Sequence, residues 1–173
     1  FSYEKPQPLT RFTVLIPFRN EAENLPALLR SIADLKYPPE LFEVFFVNDT
    51  SEDTSEEIIR NEIEKSRISM ELLQNKRVSS SPKKDAISEG INHSKFDWIV
   101  TTDADCELPK NWLKILDAFI QSTSEDRNPM MICGPVVYKS DGSFLETFQQ
   151  LDGLSLQSVT IGSFGLKNPL LNN

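Results

Sequence analysis

Cysteine is scarce in this chain: Cys106 and Cys133 are the only two among 173 residues. Neither sits in a CxxC pair, and the single histidine, His93, brings no cluster with it. The two sulfurs therefore make no disulfide framework, and they are expected as reduced thiols in or near the core. His93 is expected at the surface near a helix end. No run of about 18 apolar residues occurs, which excludes a membrane-spanning helix within these residues, and no signal peptide is expected among them. Basic residues are scattered apart from Lys83–Lys84, and the formal net charge is -8. A nucleic-acid binder would show a basic stripe able to release counterions from phosphates, so that class is set aside. The loop before Lys83 has no glycine, which excludes a P-loop.

What remains is an ordinary globular composition, 39% hydrophobic and 25% charged. With no internal repeat and no linker, one domain over 1–173 is expected. The chain begins at Phe1 rather than Met and is expected to be a piece of a longer protein.

Short apolar runs alternate with amphipathic ones. Phe12–Ile16, closed by Pro17, reads as a buried strand. Asn20–Asn24 is rich in helix-start residues, and Leu25, Leu28, Leu29, Ile32 and Leu35 then recur at helical spacing to about Lys36. Phe42–Val47 is a second strand, followed by a turn and a helix carrying Ile58, Ile59 and Ile63, with Ser51 or Asp53 as its cap. Ser69–Leu73 is a third strand, Lys84–His93 a short helix and Trp98–Thr102 a fourth strand. Pro109 is placed in the first turn of a helix whose apolar face is Trp112, Leu113, Leu116, Phe119 and Ile120. Met130–Ile132 and Val136–Tyr138 are read as a fifth strand region, residues 144–161 as mixed helical, and 162–173 as loop. Such alternation gives an open α/β sheet of parallel strands joined by crossover helices. Ligands bind such sheets at the carboxyl ends of the strands. Asn20, Glu21, Asp49, Asp103 and Asp105 all fall just past strand ends and are expected on one edge.

Asp103–Ala104–Asp105 is the candidate metal site. Two carboxylates in a turn after a strand can aim at one point, where Mg²⁺ or Mn²⁺ would take their oxygens and keep positions open for phosphate. An acidic protein that binds an anionic phosphate has particular need of such a cation. The same pair also reads as a solvated acidic loop. Asp49 can accept a hydrogen bond from a base or a sugar hydroxyl, or serve only as a turn residue and helix cap. Lys83 is a phosphate partner or a surface lysine.

In order and spacing, the segments Val14–Glu21, Phe45–Thr54, Lys83–Ile91, Trp98–Asp105 and Gly134–Val136 closely resemble the family 2 glycosyltransferases of the GT-A fold, over nearly the whole chain. The resemblance implies a Rossmann-like, mostly parallel nucleotide-sugar-binding sheet with helices on both faces. It implies transfer of a sugar from a nucleotide-diphosphate donor, with inversion, to a glycan or lipid-linked acceptor. Pro17, Asn20 and Glu21 then line the nucleotide edge. Asp49 matches the position that contacts the base, with Asn48 standing where the family usually has an aspartate. Lys83 matches a lysine that usually follows a glycine, here replaced by Pro82. Asp105 becomes the direct metal ligand, with Asp103 leaning toward the ribose or the metal. UDP-sugars are the family's commonest donors. The parent is expected at the cytoplasmic face of a membrane, held there by parts outside this soluble piece. The acidic general base of the family and the QxxRW-type motif of its processive members are not visible before Asn173, so this chain is expected to bind the donor without transferring sugar efficiently.

Rival readings are weaker. In a phosphatase of the haloacid dehalogenase type the DxD motif opens the first strand, whereas here it follows the fourth. A nucleotidyltransferase would place a Gly-rich loop after the first strand, and Pro17–Asn20 has no glycine. A non-catalytic nucleotide-binding or partner-binding module fits a parent that keeps the DAD triplet less well, but it stays open as a description of this piece by itself.

Overall fold

The computed structural model describes residues 7–123, 131–137 and 142–165. The chain falls into two compact units, residues 1–128 and 129–173. The first contains a four-stranded, all-parallel sheet in the order β3-β2-β1-β4, made of β1 (Phe12–Phe18), β2 (Phe42–Asn48), β3 (Ser69–Gln74) and β4 (Trp98–Thr101). β1 and β2 are covered on both faces, and only Pro17 among their residues is not fully buried. That is why they read as unbroken apolar runs. β3 and β4 are the outer strands and are more exposed.

Even-numbered residues of β1 and β2 (Phe12, Val14, Ile16, Phe18, Phe42, Val44, Phe46) face one layer of helices. It is built from α1 (Leu25–Ala33), α2 (Ser55–Ile63) and α4 (Trp112–Ser122). Leu25, Leu28, Leu29, Ile32, Ile59 and Leu113 fill this core, and full burial of each such side chain stabilises by about 1.5–3 kcal/mol. Odd-numbered Leu15, Phe45 and Val47 face α3 (Pro82–His93) through Ala86. The topology explains the split. From β1 to β3 the chain moves outward in one direction, then returns to place β4 on the other side of β1. With right-handed crossovers, reversing direction puts the connecting helix on the opposite face. The reversal makes the carboxyl ends of β1 and β4 the switch point of the sheet, the place where ligands bind in open sheets of this kind. α3 packs close on β1 because Gly90 has no Cβ; one there would stand 2.7 Å from Leu15 Cδ2.

Several boundaries differ from expectation. β1 runs through Pro17 to Phe18. α1 stops at Ala33 rather than near Lys36, because the Lys36 N–H bonds the carbonyl of Lys110 at 2.7 Å instead of continuing the helix. α3 starts at Pro82, before Lys84. Pro109 lies outside α4, since its carbonyl accepts the Trp112 N–H in a tight turn one step earlier.

The second unit contains α5 (Phe144–Gly165), so residues 162–165 are helical rather than loop, and 166–173 lie outside the described residues. The expected fifth strand is absent from 131–137, while Met130 and Tyr138 lie outside the described residues. The Gln157 side-chain amide both accepts the Val136 N–H and donates to the Val136 carbonyl, doing for that residue what a neighbouring strand would do. Cys133, in this segment, is exposed rather than near a core, while Cys106 is half-buried. Among the described residues no helix is long and apolar enough to cross a membrane.

Candidate functional site

The loop after β1 is stapled to the loop after β2. The Asn20 N–H donates to Ser51 Oγ at 3.0 Å, and Asn20 Oδ1 accepts the Glu52 N–H at 2.8 Å. The Glu21 N–H reaches the buried Ser55 Oγ at 2.8 Å, and the Ala22 N–H reaches Asp53 Oδ2 at 3.0 Å. Asn20 and Thr50, one in each loop, take positive φ angles of 55° and 60°. The structure therefore brings Asn20 and Glu21 against the β2 loop, with the Asn20 side chain already engaged. Ser51 does not cap α2; Asp53 Oδ1 instead accepts the Ser55 N–H.

The departure at Asn48 has a physical reason. Its buried amide accepts the Ser51 N–H at 2.9 Å and donates to Glu56 Oε2 at 2.9 Å. An aspartate there would lose the second bond and set two carboxylates against each other.

Asp49 is 8% exposed. Its Oδ1 accepts from Asn75 Nδ2 at 2.7 Å and Arg77 Nε at 2.7 Å, and its Oδ2 from Arg77 Nη2 at 2.6 Å. The Arg77 hydrogen bonds hold the carboxyl below the usual carboxylate range against the opposing effect of burial, and Asn75 adds to them. Arg77 also reaches Thr50 Oγ1 at 3.3 Å. Asn75 donates in addition to the carbonyl of Pro82, which ties the end of β3 to the start of α3. The residue replacing the family's glycine thus has a use for its carbonyl. Asn75 and Arg77 are absent from the sequence-derived site; their one signal is a polar and a basic side chain just past a strand's carboxyl end.

Lys83, in the first turn of α3, places Nζ 2.6 Å from Asp103 Oδ1. Both partners are more than half exposed. Ala104, 4% exposed, anchors the triplet in the core, while Asp103 and Asp105 stay at the surface. Cys106 Sγ lies 3.7 Å from Asp105 Oδ1, and burial pushes its thiol pKa up. Among the described residues no group of three His, Cys, Asp or Glu side chains is arranged to hold a metal. Two carboxylates suit a Mg²⁺- or Mn²⁺-type ion that completes its shell with phosphate oxygens and water. Two surface depressions lie elsewhere, one between α1 and α2 and one at the amino end of the sheet near Arg11 and Phe96. Neither gathers the polar groups that line the carboxyl edge.

Pro17 explains why β1–β4 pairing stops where it does. The Leu15 carbonyl accepts the Thr102 N–H at 3.2 Å, so Leu15 and Pro17 both turn their backbone polar groups toward β4. The next rung would need an N–H on residue 17, which proline lacks. Pairing ends there, and Asp103 follows at once.

Comparison with known proteins gives a consistent pattern. The Glycosyl transferase family 2 model matches residues 13–166. The undecaprenyl-phosphate 4-deoxy-4-formamido-L-arabinose transferase of Yersinia pestis (strain Pestoides F) is 29% identical over 164 residues, which are 92% of this chain and 47% of the relative. This chain thus spans about half the length of that curated relative. Among solved structures, S. aureus TarS 1-349 in complex with UDP superposes with a TM-score of 0.57 and 27% identity, over 65% of this chain and 32% of that one. The mannosyltransferase PcManGT from Pyrobaculum calidifontis, in complex with GDP-Man and Mn²⁺, gives 0.55 and 27%, over 63% and 32%.

Proposed function

The chain belongs to glycosyl transferase family 2, and on that premise we propose that it serves as one donor-binding domain. The parent enzyme would move a sugar, with inversion, from a nucleotide diphosphate to an acceptor hydroxyl. The observation that carries the reading is the pairing of Lys83 with Asp103 at 2.6 Å. A second exposed carboxylate, Asp105, is two residues on.

Asp105 holds the divalent ion directly, and Asp103 shares it or the ribose. Mn²⁺ or Mg²⁺, when bound there, would offset the charge that develops on the departing diphosphate. Lys83 exchanges Asp103 for a phosphate oxygen, acting as a mobile point charge. Asp49, kept ionised by Arg77, sits on the base side, and Pro17, Asn20 and Glu21 line the same edge. No residue of the chain is assigned as the catalytic base.

A UDP-sugar is the donor we favour, with support from the UDP in the TarS complex. The Mn²⁺ in the mannosyltransferase complex supports a metal. The undecaprenyl phosphate in the relative's name supports a lipid-linked acceptor, hence a parent working at the cytoplasmic face of a membrane. Calorimetric titration of UDP with and without Mn²⁺ tests the reading. Binding is expected to need the metal, and Asp105→Ala is expected to remove the metal-dependent part. Affinity that is indifferent to Mn²⁺, or unchanged in Asp105→Ala, refutes the role given to the triplet.

A further inference from the structure

Surface helices bury an apolar stripe and turn their polar side to water. α5 does the reverse. Between 144 and 159 its half-buried residues are Glu146, Gln150, Gly153 and Gln157, which share one face at about 100° per residue. Gln157 is bonded there to the Val136 backbone. The opposite face holds Phe144, Phe148, Leu151 and Val159, exposed by 89%, 60%, 62% and 51%. Leu145, also exposed, lies on its flank. Together they leave on the order of 600 Å² of apolar surface open, the upper end of what a lone soluble chain shows. A lipid surface is a poor match for this face, because α5 contains two acids, Glu146 and Asp152, and no Lys or Arg.

The stripe is graded in size. Phe144, Phe148 and Leu151 lie in its first half, and Ser155, Val159 and Gly162 in its second. A Cβ on Gly162 would meet nothing within 4 Å among the described residues. We propose that this face pairs with the same face of a second copy, the two helices antiparallel about a two-fold axis near Gly153. Reversing the helix brings bulk onto the small residues: Phe144 over Gly162, Leu151 over Ser155 and Phe148 beside Val159. A parallel pair would instead set Phe144 against Phe144 and leave Gly162 facing Gly162 across a gap. Interfaces are about 60% apolar, so pairing on this stripe approaches the roughly 800 Å² per partner of a standard complex. A two-fold contact closes on itself, so the product is a dimer and not a filament.

The test is sedimentation velocity of the purified chain across the micromolar range. A dimer is expected, and Phe148→Glu is expected to raise its dissociation constant at least about tenfold by putting a charge into the seam. Gly162→Leu separates fitted pairing from general stickiness. It favours the helix, adds apolar surface and finds open space in the lone chain, so non-specific association would strengthen. The antiparallel seam instead has no room for it beneath Phe144, and the dissociation constant is expected to rise at least about tenfold. A monomer throughout the range overturns the proposal. Sedimentation of that monomer with phosphatidylglycerol vesicles would give the face to a lipid surface, and failure to do so would leave it to a different protein segment. Gly162→Leu pairing as tightly as the unaltered chain overturns the antiparallel fit, and the proposal with it.

Discussion

The carboxylates that hold this fold together share one electrostatic condition: they are bonded most strongly when ionised. Arg77 does this for Asp49, and Arg60 for Glu56. The backbone N–H of Ser79 does it for Asp85. At Asp117 burial pushes the other way, but bonds from the Thr10 N–H and the Gln121 amide outweigh it. Each of the four is depressed below its ordinary value. Their contribution is thus complete above the unfolded carboxylate range, about pH 4, and is lost as pH falls through the folded values. The thermal midpoint is expected to stay flat from about pH 5 to 8 and to drop below about pH 4. Arg77→Met removes the largest influence on Asp49. It is expected to lower stability at neutral pH and to make the acid decline shallower. A series of melts against pH checks both, and an unchanged acid slope in the variant contradicts the assignment.

At the scale of elements, Pro17 is the instructive residue. In sequence it marks the end of an apolar run; in the fold it lies inside β1 and ends β1–β4 pairing from there. Pro17→Ala supplies the missing donor. The new N–H is expected to bond the Thr102 carbonyl, draw the start of the triplet toward β1 and weaken UDP binding. Hydrogen exchange reads the outcome directly: rapid exchange at residue 17 means the rung does not form and the account of where pairing ends is wrong. The strands themselves were legible because burial on both faces leaves a compositional mark along β1 and β2. The fifth strand misled for the same reason. Met131, Val136 and Val137 are β-prone, yet no periodicity announces that a Gln157 amide will meet Val136 in place of a strand.

On the scale of the whole molecule, the carboxyl edge was foreseeable and its wiring was not. Alternating strands and helices bring Asn20, Asp49, Lys83 and Asp103 to strand ends by topology alone. Which of them pair depends on contacts with no sequence period: Asp49 with Arg77 at a separation of 28 residues, and Lys83 with Asp103 at a separation of 20. The proposed division of labour, with the donor bound here and the acceptor activated elsewhere, makes a kinetic prediction. The purified chain is expected to bind UDP with Mn²⁺ yet to show no sustained transfer to a lipid-phosphate or glycan acceptor. Product formation over many turnovers, followed with a radiolabelled UDP-sugar, would falsify that division.

Thr50 carries a consequence of another kind. A β-branched residue with a left-handed backbone is strained, on the order of 1–3 kcal/mol, and glycine would relieve it. Yet the Thr50 hydroxyl is one of the groups Arg77 meets as it grips Asp49. Under the proposed donor-binding role, selection for thermal robustness and selection for donor recognition thus favour different residues at one position. Among relatives adapted to heat, this turn is where the two demands would collide.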